Sequence, residues 1–420
     1  MKKPLFVISC PVDTYSGYGG RSRDLVKSII ELDKYDVKIL SQPWGNTKWG
    51  FIDDHKKEWG FLNNHLISNL NTKPDVWMQI TVPNEFQPVG NYNIGVTAAI
   101  ETTQAPGEWA EGCNRMDLVL VSSKHSKSSL SGTWGKLHPQ TKQQIGQFEV
   151  TTPIEVLFEG VDINKYLPIN EPCKIDFDIP ESFAFLSVGH WLPGEVGEDR
   201  KNIGLLIKAF LETFKNKNKK PALILKTSKG NSSYVDRNNI LKNIEIIRNS
   251  VDSKNLPNIY LLHGDFSDEE MNSLYNHSKV KAMISLTKGE GFGRPLLEFS
   301  MVKKPIIASG WGGQVDFLNS EFTALLPGQL TPVHPSAANN MILLGTQWFS
   351  PDLGAIGGIL TEMFINYKKY KELANRQAYY AKTNFSFDKM KEKVDEILDK
   401  NLPEFAQEIE LVLPDFDLEL

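Results

Sequence analysis

The chain opens with a short apolar run, Leu5–Ser9, then a glycine cluster, Gly17-Tyr18-Gly19-Gly20. From Arg23 to Leu32 the apolar positions Leu25, Val26, Ile29 and Ile30 recur at helical spacing. A buried strand, a glycine turn and an amphipathic helix are the start of a βαβ unit. Further short apolar runs at Val37–Leu40, Val76–Ile80, Asn93–Ala98, Leu118–Val121 and Thr152–Phe158 continue the series. The spacing predicts a doubly wound sheet. Ser122, Ser123 and Ser126 are placed to cap a helix.

Proline-rich polar sequence follows, and we place a linker near residues 165–180. The alternation then restarts. Strands are expected at Phe183–Gly189, Ala222–Lys226, Ile259–Leu262, Ala282–Leu286 and Pro305–Ser309. Helices are expected at Asn202–Phe214, Asp268–His277 behind an N-capping Ser267, and Pro295–Val302. Segment 327–350 reads as an irregular insertion or lid. From about Leu353 to Lys400 the pattern is helical, and Leu402–Leu420 alternates apolar and acidic residues. Two α/β halves of similar size predict a cleft between them.

Composition narrows the function classes. The 420 residues are 40% hydrophobic and 23% charged, which suits a globular chain of two or three domains. The formal charge is −5, against the basic excess of a protein that coats nucleic acid. Cys10, Cys113 and Cys173 form no paired spacing, so neither a disulfide framework nor a zinc site is expected. The histidines, His125, His138, His263 and His277 among them, have no metal-ligand spacing. No apolar stretch is long enough to span a bilayer, and we expect a cytoplasmic protein.

Candidate chemistry concentrates in Glu290-Gly291-Phe292-Gly293-Arg294-Pro295-Leu296-Leu297-Glu298. Here two carboxylates flank a glycine turn and a helix start. Free N–H groups and the positive end of the dipole suit a phosphate there. Pro295 fits the first helical turn. Glu298 could accept hydrogen bonds from ribose hydroxyls, and Glu290 could bind sugar hydroxyls or offset positive charge. Arg200-Lys201 forms a cationic pair at a second helix start, with His190 just after a strand. Gly17, Tyr18, Gly19 and Gly20 lack the full dinucleotide fingerprint. Glu101 should lie at a strand's C-terminal edge, where ligands of α/β proteins bind. Trp44 and Trp49, in a Gly/Pro/Asn loop, are candidates for stacking on a ligand.

The stretch EGFGRPLLE resembles the E-x7-E motif of the GT-B glycosyltransferases of family 4. Leu261–Phe266, Lys304–Ser309 with Gly312-Gly313, Val156–Asp162 and Phe385-Ser386-Phe387 resemble that family's neighbouring segments. The resemblance is dense over 156–318 and thin over 1–130. It implies two Rossmann-like domains facing a cleft: an acceptor domain over 1–170, a donor domain over 171–385, and a C-terminal segment, 386–420, crossing back to the first. It further implies a retaining transferase, hexosyl or pentosyl, that takes a UDP- or GDP-sugar as substrate and needs no cofactor or metal. Glu290, Lys201, Arg200 and Glu101 are then the expected catalytic groups. Gly17, Tyr18, Gly19, Gly20, His190, Phe266, Gly291, Phe292, Gly293, Arg294 and Glu298 would hold the donor. His190 departs from the family, where an Arg is common. The acceptor is left open among glycan, lipid, small molecule and modified nucleic-acid base, the last disfavoured by net charge. The alternatives are a nucleotide-sugar epimerase, a phosphorylase, and a non-catalytic sugar-binding subunit on the same fold.

Overall fold

The structure is a computed structural model. It describes residues 3–137, 140, 143–170, 175, 177–230 and 233–405. His138, Cys173 and the acidic tail from residue 406 onward lie outside the described residues.

The first sheet takes β1 (Leu5–Cys10), β2 (Asp36–Ser41), β3 (Leu66–Ile67), β4 (Val76–Ile80), β5 (Tyr92–Thr97) and β6 (Leu118–Val121). After a separate hairpin, β7 (Thr133–Leu137) with β8 (Gln144–Glu149), it ends with β9 (Ile154–Val156). Its order is β3-β2-β1-β4-β5-β6-β9, all parallel. The second sheet takes β10 (Ala184–Val188), β11 (Ala222–Lys226), β12 (Ile259–Leu262), β13 (Val280–Ser285), β14 (Ile306–Ser309) and β15 (Ala324–Leu326). Its order is β12-β11-β10-β13-β14-β15, again parallel. Each sheet reverses direction of growth at its first strand, at β1 and at β10. Ligand crevices of doubly wound sheets open at that point, beyond the strands' C-terminal ends.

The helices of the first half are α1 (Gly17–Glu31), α2 (Phe51–Asp54), α3 (Lys56–Trp59), α4 (Gly107–Cys113) and α5 (Lys124–Ser129). Those of the second are α6 (Ile203–Phe214), α7 (Tyr234–Asn249), α8 (Asp268–Asn276), α9 (Arg294–Met301), α10 (Leu353–Ile365), α11 (Tyr367–Asn384) and α12 (Phe387–Asn401). The near-continuous apolar strands are explained by burial on both faces. In β1, Phe6 and Ile8 enter one core while Val7 enters the opposite one. In β10, Phe185 enters one core while Ala184 and Leu186 enter the other.

The α12 helix, late in sequence, packs in the first domain. Met390, Val394, Ile397 and Leu398 join Phe6, Leu25 and Ile29 in one cluster, with Leu402 and Phe405 against its edge. Backbone closeness at Gly160 permits this: a Cβ there would come 2.7 Å from Phe387 Cα. Arg21 is buried at the same seam and donates to the Phe158 carbonyl at 2.8 Å. Lys34–Asp395 at 2.6 Å and Lys391–Glu31 at 2.8 Å tie the exposed edge.

Two expectations change. Gly17–Gly20 is the first turn of α1, not a turn before it. Ser16 caps the helix by accepting from Gly19 N–H at 2.8 Å. Gly19 is required there, because a Cβ would lie 2.3 Å from the Thr14 carbonyl oxygen. Segment 327–350 is irregular only over 333–346: β16 (Gly328–Pro332) and β17 (Gln347–Pro351) at its ends form an antiparallel ribbon. Fully buried Trp348 anchors it in a small core with Val333 and Ala337. The α7 helix and the β7–β8 hairpin were not anticipated. The Ile240, Ile244 and Ile247 stripe that buries α7 is narrow within a polar sequence. No helix among the described residues is long and apolar enough to cross a membrane.

The α12 seam makes a direct stability prediction. Met390→Ala removes a fully buried side chain and should cost about 2–5 kcal/mol, read as a lower denaturation midpoint. A loss below ~1 kcal/mol would mean that α12 is not part of the first domain's core.

Candidate functional site

The loop after β13 carries Glu290, and the loop before α6 carries Arg200 and Lys201. Main-chain bonds hold the two loops together: Lys288 N–H donates to Arg200 O at 2.7 Å. Lys201 Nζ donates to Glu290 Oε1, and Arg200 Nη1 stands 3.6 Å from Glu290 Oε2. The same Arg200 nitrogen reaches Glu101 Oε1 of the first domain at 3.0 Å and the Gly289 carbonyl at 3.0 Å. Two carboxylates and two cations thus share one largely buried cluster, drawn from both domains. Burial alone would raise the Glu290 carboxyl. Lys201 and Arg200 outweigh that and hold it below its ordinary value, so it is charged.

The glycines of this loop exist for close approach. A Cβ on Gly289 would lie 1.9 Å from the Glu101 carbonyl oxygen, and one on Gly291 would lie 2.8 Å from that of Ala98. Ser126 closes the contact by donating to the carbonyls of Ala98 and Gly291, at 2.7 and 3.1 Å. Gly293 has φ 97° and precedes α9 with no side-chain cap; Pro295 brings no N–H to the first turn, and Leu296 N–H donates to the Gly293 carbonyl at 2.9 Å. Phe292 is buried against Phe317, so only its backbone faces the loop.

Glu298 is one turn into α9. Arg294 Nε donates to its Oε1 at 2.9 Å, and the Tyr275 hydroxyl donates to its Oε2 at 3.4 Å. Burial raises the Glu298 carboxyl to about 7, with Arg294 opposing and Asp268 adding to the rise. Arg294 Nη1 also donates to Asp24 of α1 at 2.6 Å, a second ionic link between domains. The Gly20 position lies close by: a Cβ there would be 3.5 Å from Arg294 Nη1. Gly17 at the start of α1 has open space beside it.

Tyr18 turns its hydroxyl inward, accepting from Ala98 N–H at 3.0 Å and sharing a bond with Thr97 Oγ1 at 3.1 Å. Its ring stacks on Trp44 with centroids 3.9 Å apart. Trp49 is 43% exposed and is elsewhere, in a bridge with Thr14. His190 bonds Ser228 Oγ at 3.0 Å; burial and then the charges of Lys201, Lys226 and Arg200 depress its pKa, so the ring is neutral. Phe266 sits under Lys226 Nζ, 4.6 Å from the ring centroid.

The structure therefore gathers Glu290, Lys201, Arg200, Glu101 and Gly289–Gly293 in one cluster, with Glu298 and Arg294 a helical turn away. Sequence reasoning passed over Lys226 and Asp24. Lys226 ends the apolar strand ALILK at the edge where ligands bind, and that was its signal. Asp24 had none, since its partner is on the other domain. His125 is satisfied, as expected, by the Ile100 carbonyl at 3.1 Å. No cluster of metal-ligating side chains occurs among the described residues.

Residues 195–332, which hold Arg200, Lys201 and Gly289–Gly293 but not Glu101, match the family of glycosyl transferases group 1. No curated protein matches the chain. Solved structures do. A glycosyltransferase from Rickettsia africae is similar at TM-score 0.63 and 15% identity, over 96% of this chain and 100% of the other. HepE from Anabaena, in complex with UDP and glucose, is similar at 0.57 and 12%, over 94% and 100%. Sucrose-phosphate synthase from Thermosynechococcus elongatus is similar at 0.58 and 12%, over 95% and 99%. At these identities the likeness establishes the fold: GT-B, two Rossmann-like domains facing a cleft.

The Glu298 carboxyl gives a pH test. Its folded value, about 7, is above its ordinary 4.5, so protonation favours the folded state. The contribution is complete below about pH 4.5 and is lost as pH rises through 7. Glu298→Gln stays neutral, so its melting temperature should gain on the wild type between pH 5 and pH 8.5. An offset equal at both pH values would contradict the assignment.

Proposed function

We propose that the protein transfers a sugar from a nucleotide-sugar donor to a hydroxyl acceptor, with retention of anomeric configuration, as a family 4 type enzyme. The observation that carries the reading is the Lys201–Glu290–Arg200–Glu101 cluster at the crevice of a GT-B fold, its Lys201, Arg200 and Glu290 inside the segment that matches glycosyl transferases group 1 and Glu101 reaching them from the first domain. A UDP-sugar is the favoured donor, since HepE was solved with UDP and glucose.

The chemistry follows from the charges. In the transfer, the bond from the sugar C1 to the diphosphate oxygen breaks, and a bond from C1 to the acceptor oxygen forms on the same face. The acceptor's proton passes to the departing phosphate oxygen. Negative charge therefore grows on the diphosphate, and Lys201 and Arg200 are placed to meet it. Their present partner, Glu290, keeps both side chains extended toward the crevice. With the diphosphate bound, Glu290 turns to the sugar hydroxyls, and the N–H groups at Gly291–Gly293 position the sugar. Glu298 accepts from the ribose, and the start of α1 at Gly17–Gly20 faces the phosphates. Phe266 with Lys226 lies on the nucleoside side of that path. Glu101 orients the acceptor hydroxyl from the first domain. The close contact of Gly289 and Gly291 with the first domain excludes water, a competing acceptor.

Glu290→Ala and Lys201→Ala should each lower transfer more than ~10²-fold, the scale for removing one electrostatic stabiliser. Nucleotide release from UDP-glucose and GDP-mannose, with product mass, is the assay. Near-normal turnover in both variants overturns the site assignment.

A further inference from the structure

A cavity of about 300 Å³ adjoins the charged cluster. Its lining includes the rings of Tyr18, Trp44 and Trp109, the side chain of Ile342, and the Glu101–Arg200 pair. Ile342 lies in the connection between β16 and β17, where its N–H donates to Asn339 Oδ1 at 3.0 Å; the ribbon that carries this connection is fixed to both domains. Thr103 N–H donates to Gln347 O at 2.8 Å, and Phe349 N–H donates to Lys288 O at 2.8 Å. The wall is therefore part of the folded cleft.

The lining is mostly apolar, and of its polar side chains Asn339 has its Oδ1 taken by the Met341 and Ile342 N–H groups at 2.8 and 3.0 Å. The Tyr18 hydroxyl is bonded to Thr97 and Ala98, so the residue offers only ring surface. Charge is confined to Glu101 and Arg200. A sugar carries a hydroxyl on nearly every carbon, and most of these would lose water here without gaining a partner. A flat apolar body with one hydroxyl loses little. Ring-on-ring contact adds attraction beyond area burial, which favours an aromatic body over an alkyl chain. A ~150 Å³ apolar cavity accepts benzene, so this one has room for a larger aromatic body.

We propose that this cavity binds the acceptor and that the acceptor is an aromatic compound bearing a hydroxyl, its ring among Tyr18, Trp44 and Trp109 and its hydroxyl toward Glu101. The proposal rests on the transferase reading and adds the acceptor's chemical class.

The test uses three probes with the full chain in the presence of UDP: 2-phenylethanol, 1-octanol with the same carbon number, and methyl α-glucoside. Affinity is read by tryptophan fluorescence. The expected order places 2-phenylethanol at least tenfold ahead of both others. Trp44→Ala should weaken it about tenfold, and Trp44→Phe, which keeps a ring, should recover most of that. Melting temperatures of both variants separate lost binding from lost fold. Equal or tighter binding of 1-octanol or the glucoside, or unchanged affinity in Trp44→Ala, overturns the proposal. Binding of UDP-glucose and GDP-mannose is measured in parallel. If the protein takes a nucleotide sugar but prefers the glucoside, only the acceptor class fails. If it binds neither nucleotide sugar, the transferase reading fails and the acceptor assignment falls with it.

Discussion

A carboxylate buried at the meeting of two domains must be matched by positive charge, and that requirement organises this molecule. Glu290 is held ionised by Lys201 and Arg200. Arg200 in turn reaches Glu101 on the first domain. The four formal charges cancel. Removing any one would leave a buried charge without its partner, which is far costlier than the pair is stabilising. The balance also makes the cluster responsive. On the proposed reading, an arriving diphosphate would offer the cations a stronger partner than one carboxylate, and Glu290 would then be released toward other groups.

The fold supplies this balance by placement. Both sheets change direction at their first strand, so β1 and β10 aim their C-terminal ends at the same crevice. The α1 helix starts after β1, Lys201 follows β10, and Glu290 follows β13. Glycines at 289 and 291 let the second domain's loop touch the first domain's backbone. Arg294 with Asp24 repeats the ionic link one turn away. The α12 helix returns the chain's end to the first domain, so the two halves are joined at the linker and again at the α11–α12 junction.

Much of this was readable from the chain. Apolar runs at the two starts, Leu5–Ser9 and Phe183–Gly189, carry the parallel strands because those strands are covered on both faces. Ser267 forms the expected cap, with Glu270 completing a capping box. The carboxylates and the cationic pair were visible because each follows a strand end or precedes a helix. What was not legible depends on distance in sequence. Asp24 meets Arg294 across 270 positions, and nothing local in either segment announces it. The β16–β17 ribbon reads as loop because its strands are short and its anchor, Trp348, is one residue. The glycine cluster at 17–20 reads as a turn because glycine is a poor helix former. Here the need to pass Thr14 and the cap from Ser16 override that preference.

The position of the diphosphate in a crystal grown with UDP tests the central claim most directly. The account predicts phosphate oxygens within ~3 Å of Lys201 Nζ and an Arg200 guanidinium nitrogen, with the Lys201–Glu290 pair opened. Nucleotide bound away from this crevice, or bound with that pair intact and the phosphates distant from both cations, would contradict it.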